Sequence, residues 1–114
     1  MESLKAKWIN ALRSGKYKQA TGALRNCYGH CCLGVLIDNH PEFRIGGIGK
    51  TVTAVNKKTG DIFNGLNTYI PERIVWPEAQ EALVLMNDVE GKSFDEIADY
   101  IETHASEDLK TWKI

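Results

Sequence analysis

Four polar side chains of different chemistry fall within the first quarter of the chain: Arg13, Tyr17, Gln19 and Arg25. Two guanidiniums, a phenol and an amide suit recognition of phosphate or carboxylate, because arginine offers a fork of donors to paired oxygens and a planar face for stacking. Far along the chain, Asn87-Asp88 could form a second wall of such a site. The competing role for these groups is internal: each arginine could hold loop carbonyls or pair with Asp88, Asp95 or Asp99.

Other groupings carry weaker chemistry. Cys27, His30, Cys31 and His40 are zinc-ligand types, but structural zinc sites present two separated close pairs, and a helix opening near His30 would turn Cys31 and Cys32 in different directions. A nucleophilic cysteine needs a base and a lowered pKa. His30 is a neighbour of Cys31 in sequence only, and the apolar run after it points to buried packing thiols. Gly46-Gly47-Ile48-Gly49-Lys50-Thr51 ends like a phosphate-binding loop, yet Arg44 stands where the first glycine belongs and a β-favouring stretch follows where a helix is needed. A glycine-rich entry to a hairpin fits better. We therefore expect no catalytic residue, no metal and no cofactor.

These side chains have to be positioned by local elements that the pattern suggests. Ser3 can cap a helix with Leu4, Trp8, Ala11 and Leu12 on one stripe and Gly15 at its close. Short extended pieces are expected over residues 16–29. A short buried helix should follow from His30 to Asn39, its Cys32, Gly34 and Val35 giving the first helix a low-profile seat, and His40-Pro41 ends it. Thr51 to Val55 and Ile62-Phe63 read as a hairpin around a turn at Asn56 to Asp61, with the pieces from 16–29 as further strands. Pro71 opens a short helix ending near Trp76, and Pro77 opens the next, running through Met86. Ser93-Phe94-Asp95-Glu96 is a capping box ahead of Phe94, Ile97, Ala98 and Ile101. After Ser106 only Leu109, Trp112 and Ile114 could dock. The expected fold class is α+β: about four to five helices packed on a small, mainly antiparallel sheet containing a hairpin near 51–63.

Bulk properties agree. A chain of 114 residues, 43% hydrophobic and 25% charged, reads as a single domain over 1–114 with one core. No apolar stretch approaches the roughly 20 residues that cross a bilayer, and the start lacks a secretory signal, so no membrane role and a cytoplasmic location are expected. The net charge of −1 conceals a gradient: residues 1–25 hold six Lys/Arg and one Glu, residues 71–114 eleven Asp/Glu and four Lys/Arg. Ser93 to Ile101 looks like the first helix of a helix-turn-helix, but the acidic stretch Glu102 to Asp108 behind it would repel phosphates. Nucleic acid is not the expected partner.

The stretch from Trp8-Ile9-Asn10-Ala11-Leu12-Arg13-Ser14-Gly15 through Lys16-Tyr17-Lys18-Gln19, the step Ala23-Leu24-Arg25 and the block Cys31-Cys32-Leu33-Gly34-Val35-Leu36 form a series of spaced words. Ile70-Pro71-Glu72, Met86-Asn87-Asp88 and Ser93-Phe94-Asp95-Glu96-Ile97-Ala98-Asp99 continue it. In that order they resemble a family of small, uncharacterised proteins of tailed phages and prophages, over roughly residues 8–103. Met86 stands where leucine is usual, and Cys27 and His30 fall outside the pattern. The resemblance implies a phage-encoded protein working in the host cytoplasm. It leads us to expect an accessory binding protein that counteracts a host process, by sequestering a nucleotide-like small molecule or by blocking a host defence protein. A small enzyme of unknown reaction and a nucleic-acid accessory protein are the alternatives, and homo-oligomer formation is left open.

Overall fold

The computed structural model describes residues 2–47, 52–63 and 69–113. Along these residues the order is α1 (Leu4–Arg13), β1 (Arg25–Asn26), β2 (Gly29–His30), α2 (Cys32–Asp38), β3 (Phe43–Gly46), β4 (Thr53–Asn56), α3 (Pro77–Asp88) and α4 (Phe94–His104). The class is α+β, with four helices and two small antiparallel sheets.

The helix signals act where the residue chemistry put them. The Ser3 hydroxyl accepts from the Ala6 amide at 3.1 Å and starts α1, whose Trp8, Ile9 and Leu12 turn inward. At α4 the capping box is complete: the Ser93 hydroxyl accepts from the Glu96 amide, and the Glu96 carboxylate accepts from the Ser93 amide. Phe94, Ile97, Ala98 and Ile101 then form its buried stripe, and α1 and α4 lie against each other.

At the centre is α2, in which six consecutive residues, Cys32 to Ile37, are buried. It is shorter than expected, because His30 belongs to β2 and Cys31 serves as the N-cap. Its small surface receives the backbone of residue 24. A Cβ on Gly34 would stand 1.9 Å from the Leu24 carbonyl oxygen. That carbonyl is held there by the Cys31 amide, which donates to it at 3.1 Å. Trp8 of α1, with no exposed surface, donates its indole N–H to the Cys32 carbonyl at 2.9 Å.

The strands distribute themselves differently from the expected single sheet. β1 and β2 pair as Arg25↔His30 and Asn26↔Gly29, and β2 gains a parallel neighbour when the Ala20 amide donates to His30 and the His30 amide to Lys18. Gly29 has φ 153°, and a Cβ there would meet the Lys18 carbonyl oxygen at 2.1 Å, so only glycine lets that neighbour approach. The pieces at 16–29 thus satisfy their hydrogen bonds among themselves. β4 pairs along its length with β3, from Phe43↔Asn56 to Gly46↔Thr53. The expected 51–63 hairpin contributes its turn, closed by Asn56 and Asp61, and a single bridge, Val55↔Ile62. Of the phosphate-loop-like stretch, residues 48–51 lie outside the described residues.

Residues 71–76 make a turn where a short helix was expected. The Ile74 and Val75 amides reach the Pro71 carbonyl, but Pro77 holds Trp76 extended at φ −53° and ψ 135°, which stops further winding. Gln80, 1% exposed, secures this turn to α3: its Oε1 accepts from the Tyr69 and Ile70 amides, and its Nε2 donates to the Ile70 and Val75 carbonyls. The tail docks. Leu109 is fully buried at φ 63°, and Trp112 meets Trp8 edge-on at 6.4 Å. Burying a leucine is worth about 1.5–3 kcal/mol, enough to offset the roughly 1–2 kcal/mol of a left-handed residue. Ile114 lies outside the described residues.

The contact between Gly34 and Leu24 gives the first testable outcome. Gly34→Ala is expected to lower unfolding free energy by about 2–4 kcal/mol in urea titrations, since backbone must shift to admit the methyl group. An unchanged midpoint would show that α2 and residue 24 are not in contact.

Candidate functional site

The expected site residues divide into two groups. Arg13, in the last turn of α1, is drawn to α4: one guanidinium nitrogen donates to Asp99 and the other to Glu102 at 3.0 Å. Gln19 donates to the Asn87 side-chain oxygen at 2.9 Å and to the Lys92 carbonyl at 2.7 Å. Asn87, only 3% exposed, also accepts from the Cys32 amide at 3.3 Å and donates to the Ala20 carbonyl and the Asp88 carboxylate. Asp88 accepts in turn from the Gly22 amide at 3.1 Å. Both donors and both lone pairs of the Asn87 amide are occupied. The structure brings Gln19, Asn87 and Asp88 together as an internal tie that fastens residues 19–22 to the end of α3 and the start of α2. It leaves no Asn87 amide position for a ligand.

Tyr17 and Arg25 belong to the second group, which forms where β2 meets the end of α2. The Tyr17 hydroxyl donates to Asp38 and accepts from the Asn39 side chain at 3.1 Å, and its ring stands edge-on to His30 at 5.0 Å. Arg25 is the cross-strand partner of His30 and makes no ion pair with a described residue. Burial raises the Tyr17 pKa above the usual phenol value, and the bond to Asp38 adds to that. Burial lowers the His30 pKa; Asp38 opposes this and the Arg25 charge reinforces it. The two arginines thus serve different places, Arg13 on α4 and Arg25 beside His30.

Beside Tyr17 opens a cleft of about 640 Å³, lined by Glu2, Lys7, Asn10, Ser14, Lys16 and Asn39. Lys7 and Lys16 make no ion pair with a described residue. Positions 7 and 10 share one face of α1, and its C-cap Ser14 continues that face. The sequence reading singled out Tyr17 here and missed the lysines and Asp38-Asn39. The spacing of Lys7, Asn10 and Ser14 was a visible signal; the approach of Asn39 was not, because it depends on how α2 packs.

The thiols are placed for packing. All three are free, with Cys27 exposed and Cys31 and Cys32 buried. Burial pushes the Cys31 thiol up to about 11, against partial relief from the Gly34 amide, and holds Cys32 well above its ordinary value. Near neutral pH both are protonated and so poor nucleophiles. Cys31 and His40 flank opposite ends of α2, a helix about 10 Å long, so the four zinc-type residues do not converge. Among the described residues no group of three or more His, Cys, Asp or Glu could hold a metal ion. No described helix is long and apolar enough to cross a membrane.

Residues 1–44 match the family model of a domain of unknown function, DUF8296. The matched stretch contains α1, α2 and the whole Tyr17, Arg25, His30 and Asp38 cluster, and it stops short of α3 and α4. No curated protein and no solved structure matches the chain.

His40 sets a pH dependence. It is 6% exposed, its Nδ1 accepts from the Glu42 amide at 3.0 Å, and its ring stands edge-on to Phe43. Burial lowers its pKa below 6.5, as does the charge of Arg73 and Lys57, with Glu42 opposing. The folded state therefore binds fewer protons than the unfolded one. The stability of neutral His40 is present above pH 6.5 and is lost as pH falls from there through the folded pKa; His30 acts in the same direction. Urea midpoints should drop between pH 7.5 and 5, and His40→Asn, which keeps an acceptor for Glu42, should flatten part of that slope. A slope identical to that of the parent protein would remove His40 from this account.

Proposed function

We propose that this chain is a small accessory binding protein of phage or prophage origin, working in the host cytoplasm, that holds a nucleotide-like anion in the cleft beside Tyr17. The observation that carries this reading is the cleft itself: about 640 Å³, with Lys7 and Lys16 on its walls and neither lysine ion-paired to a described residue. That volume falls within the roughly 300–1,000 Å³ of small-molecule sites. Ammonium groups serve phosphate as compact point charges, and the side-chain oxygen of Asn39, together with the oxygen and second N–H of Asn10 whose first N–H is held by Glu2, would give the directional bonds that orient a base or sugar. Arg25, the cross-strand partner of His30, does not line this cleft and is no part of the proposed site.

What favours binding over turnover is the chemistry of the neighbouring groups. Asp38 is already engaged by Tyr17, Tyr17 is held protonated, and the buried thiols are protonated near neutral pH. Sequestration of a host signal then counteracts a host process by lowering the free ligand, with one ligand taken per site. The phage setting rests on the resemblance described above.

Isothermal titration and thermal shift with ATP, GTP and cyclic nucleotides test this. One of them should bind stoichiometrically and without turnover, adding about 2.7 kcal/mol of stability at 100 times its dissociation constant. Lys7→Ala combined with Lys16→Ala should weaken that binding about tenfold or more, while Arg13→Ala should leave it within about twofold. Silence from every nucleotide, or equal binding by the double variant, would overturn the assignment of the cleft.

A further inference from the structure

We infer that the outer face of α3 is a docking surface for a basic, amphipathic helical segment of a partner protein, separate from the Tyr17 cleft. The face consists of Glu78, Glu81, Ala82, Leu85, Asp88 and Val89, which recur at the spacing of one side of a helix. Leu85 is 44% exposed and Val89 74%. The described outward-facing residues of α1 and α4 include no large apolar side chain, and α2 is buried but for Asp38. Trp76, at the N-cap of α3, and Tyr69, hydrogen-bonded to Gln80, are also exposed, so among the described residues four of the six exposed large hydrophobics lie on or beside this one helix.

Charge identifies the partner. α3 contains no lysine or arginine, and Glu78, Glu81 and the following Glu90 make no ion pair with a described residue. Three of the four acids of α4 contrast with them: Asp99 and Glu102 are met by Arg13 and Glu96 by Lys92, while Asp95 makes no ion pair with a described residue. Two acidic helices are thus treated differently, one neutralised for the most part from within and the other left with negative charge around exposed aliphatic groups. A face of this kind is complementary to a helix carrying Lys or Arg on both sides of an apolar stripe. A dimple of about 40 Å³ beside it, lined by Ala23, Leu24, Val84, Tyr69 and Asp88, has room for about a methyl group.

The test uses the full chain and a dye-labelled amphipathic leucine–lysine peptide of about 18 residues, long enough to hold a helix. Three controls accompany it: the same composition scrambled out of register, a leucine–glutamate counterpart, and ATP at the Tyr17 cleft. Fluorescence anisotropy should show binding by the leucine–lysine peptide, about tenfold weaker for the scrambled one, and amide shift changes should concentrate on residues 78–90. Leu85→Ser with Val89→Ser, and separately Glu78→Gln with Glu81→Gln, should each weaken the peptide about tenfold and leave any nucleotide affinity unaltered. Equal binding of the scrambled or acidic peptide, a footprint on α4, or no binding at all would overturn the inference. So would a concentration-dependent dimer, seen in sedimentation and abolished by Leu85→Ser with Val89→Ser, because the face would then belong to a second copy of this chain. Loss of peptide binding with nucleotide binding intact, or the reverse, tells the failure of one surface from the failure of the other.

Discussion

A seven-residue helix is the constraint on which the rest of the molecule depends. Isolated helices shorter than about 12–15 residues are marginal in water, so α2 exists because its surroundings hold it. They do so by its backbone. The Cys32 carbonyl receives the Trp8 indole, the Cys32 amide gives its proton to Asn87, and Gly34 admits the Leu24 carbonyl at a distance no side chain would allow. Through these contacts α1, the 19–24 segment and the end of α3 are fixed relative to one another, and the Tyr17 cleft is a consequence of that arrangement.

Legibility in the sequence followed the range of the interactions. Ser3 and Ser93 act on amides three residues away, so their helices could be read directly. Pro77 acts on the residue before it and cuts the 71–76 turn short, where Pro71 alone signals the start of a helix. Strand partnership was least legible. Whether residues 16–29 join β4 or one another depends on Gly29 permitting the Lys18 backbone to approach, and periodicity carries no trace of that. The same limit applies to the site: the side-chain types of Tyr17 and Arg25 were visible, whereas the absorption of Gln19 and Asn87 into an internal tie could be known only once residues 68 positions apart were seen to touch.

Buried amides do work here that apolar residues could not. Asn87 and Gln80 each satisfy backbone groups from segments lacking regular structure, and among the described residues no buried side-chain nitrogen or oxygen is left without a partner. An unpaired buried backbone group costs about 1–3 kcal/mol. Each amide serves several at once, which explains how the described residues, with two small sheets among them, carry long irregular connections against the core.

The charge gradient along the chain resolves in the fold into three separate fates. Arg13 and the α4 acids cancel across a helix pair, which explains part of the opposition between the basic start and the acidic second half as ordinary packing electrostatics. Lys7 and Lys16 face a cleft, and Glu78 and Glu81 face outward around aliphatic groups, with no compensating partner among the described residues. Exposed single charges are stable in water, and the cleft carries Glu2 beside its two lysines, so sorting by sign is clearest on the α3 face, where Glu78 and Glu81 flank exposed aliphatic groups on a helix without lysine or arginine. Opposite signs on two different surfaces argue for two different occupants, an anion at one and a cationic helix at the other.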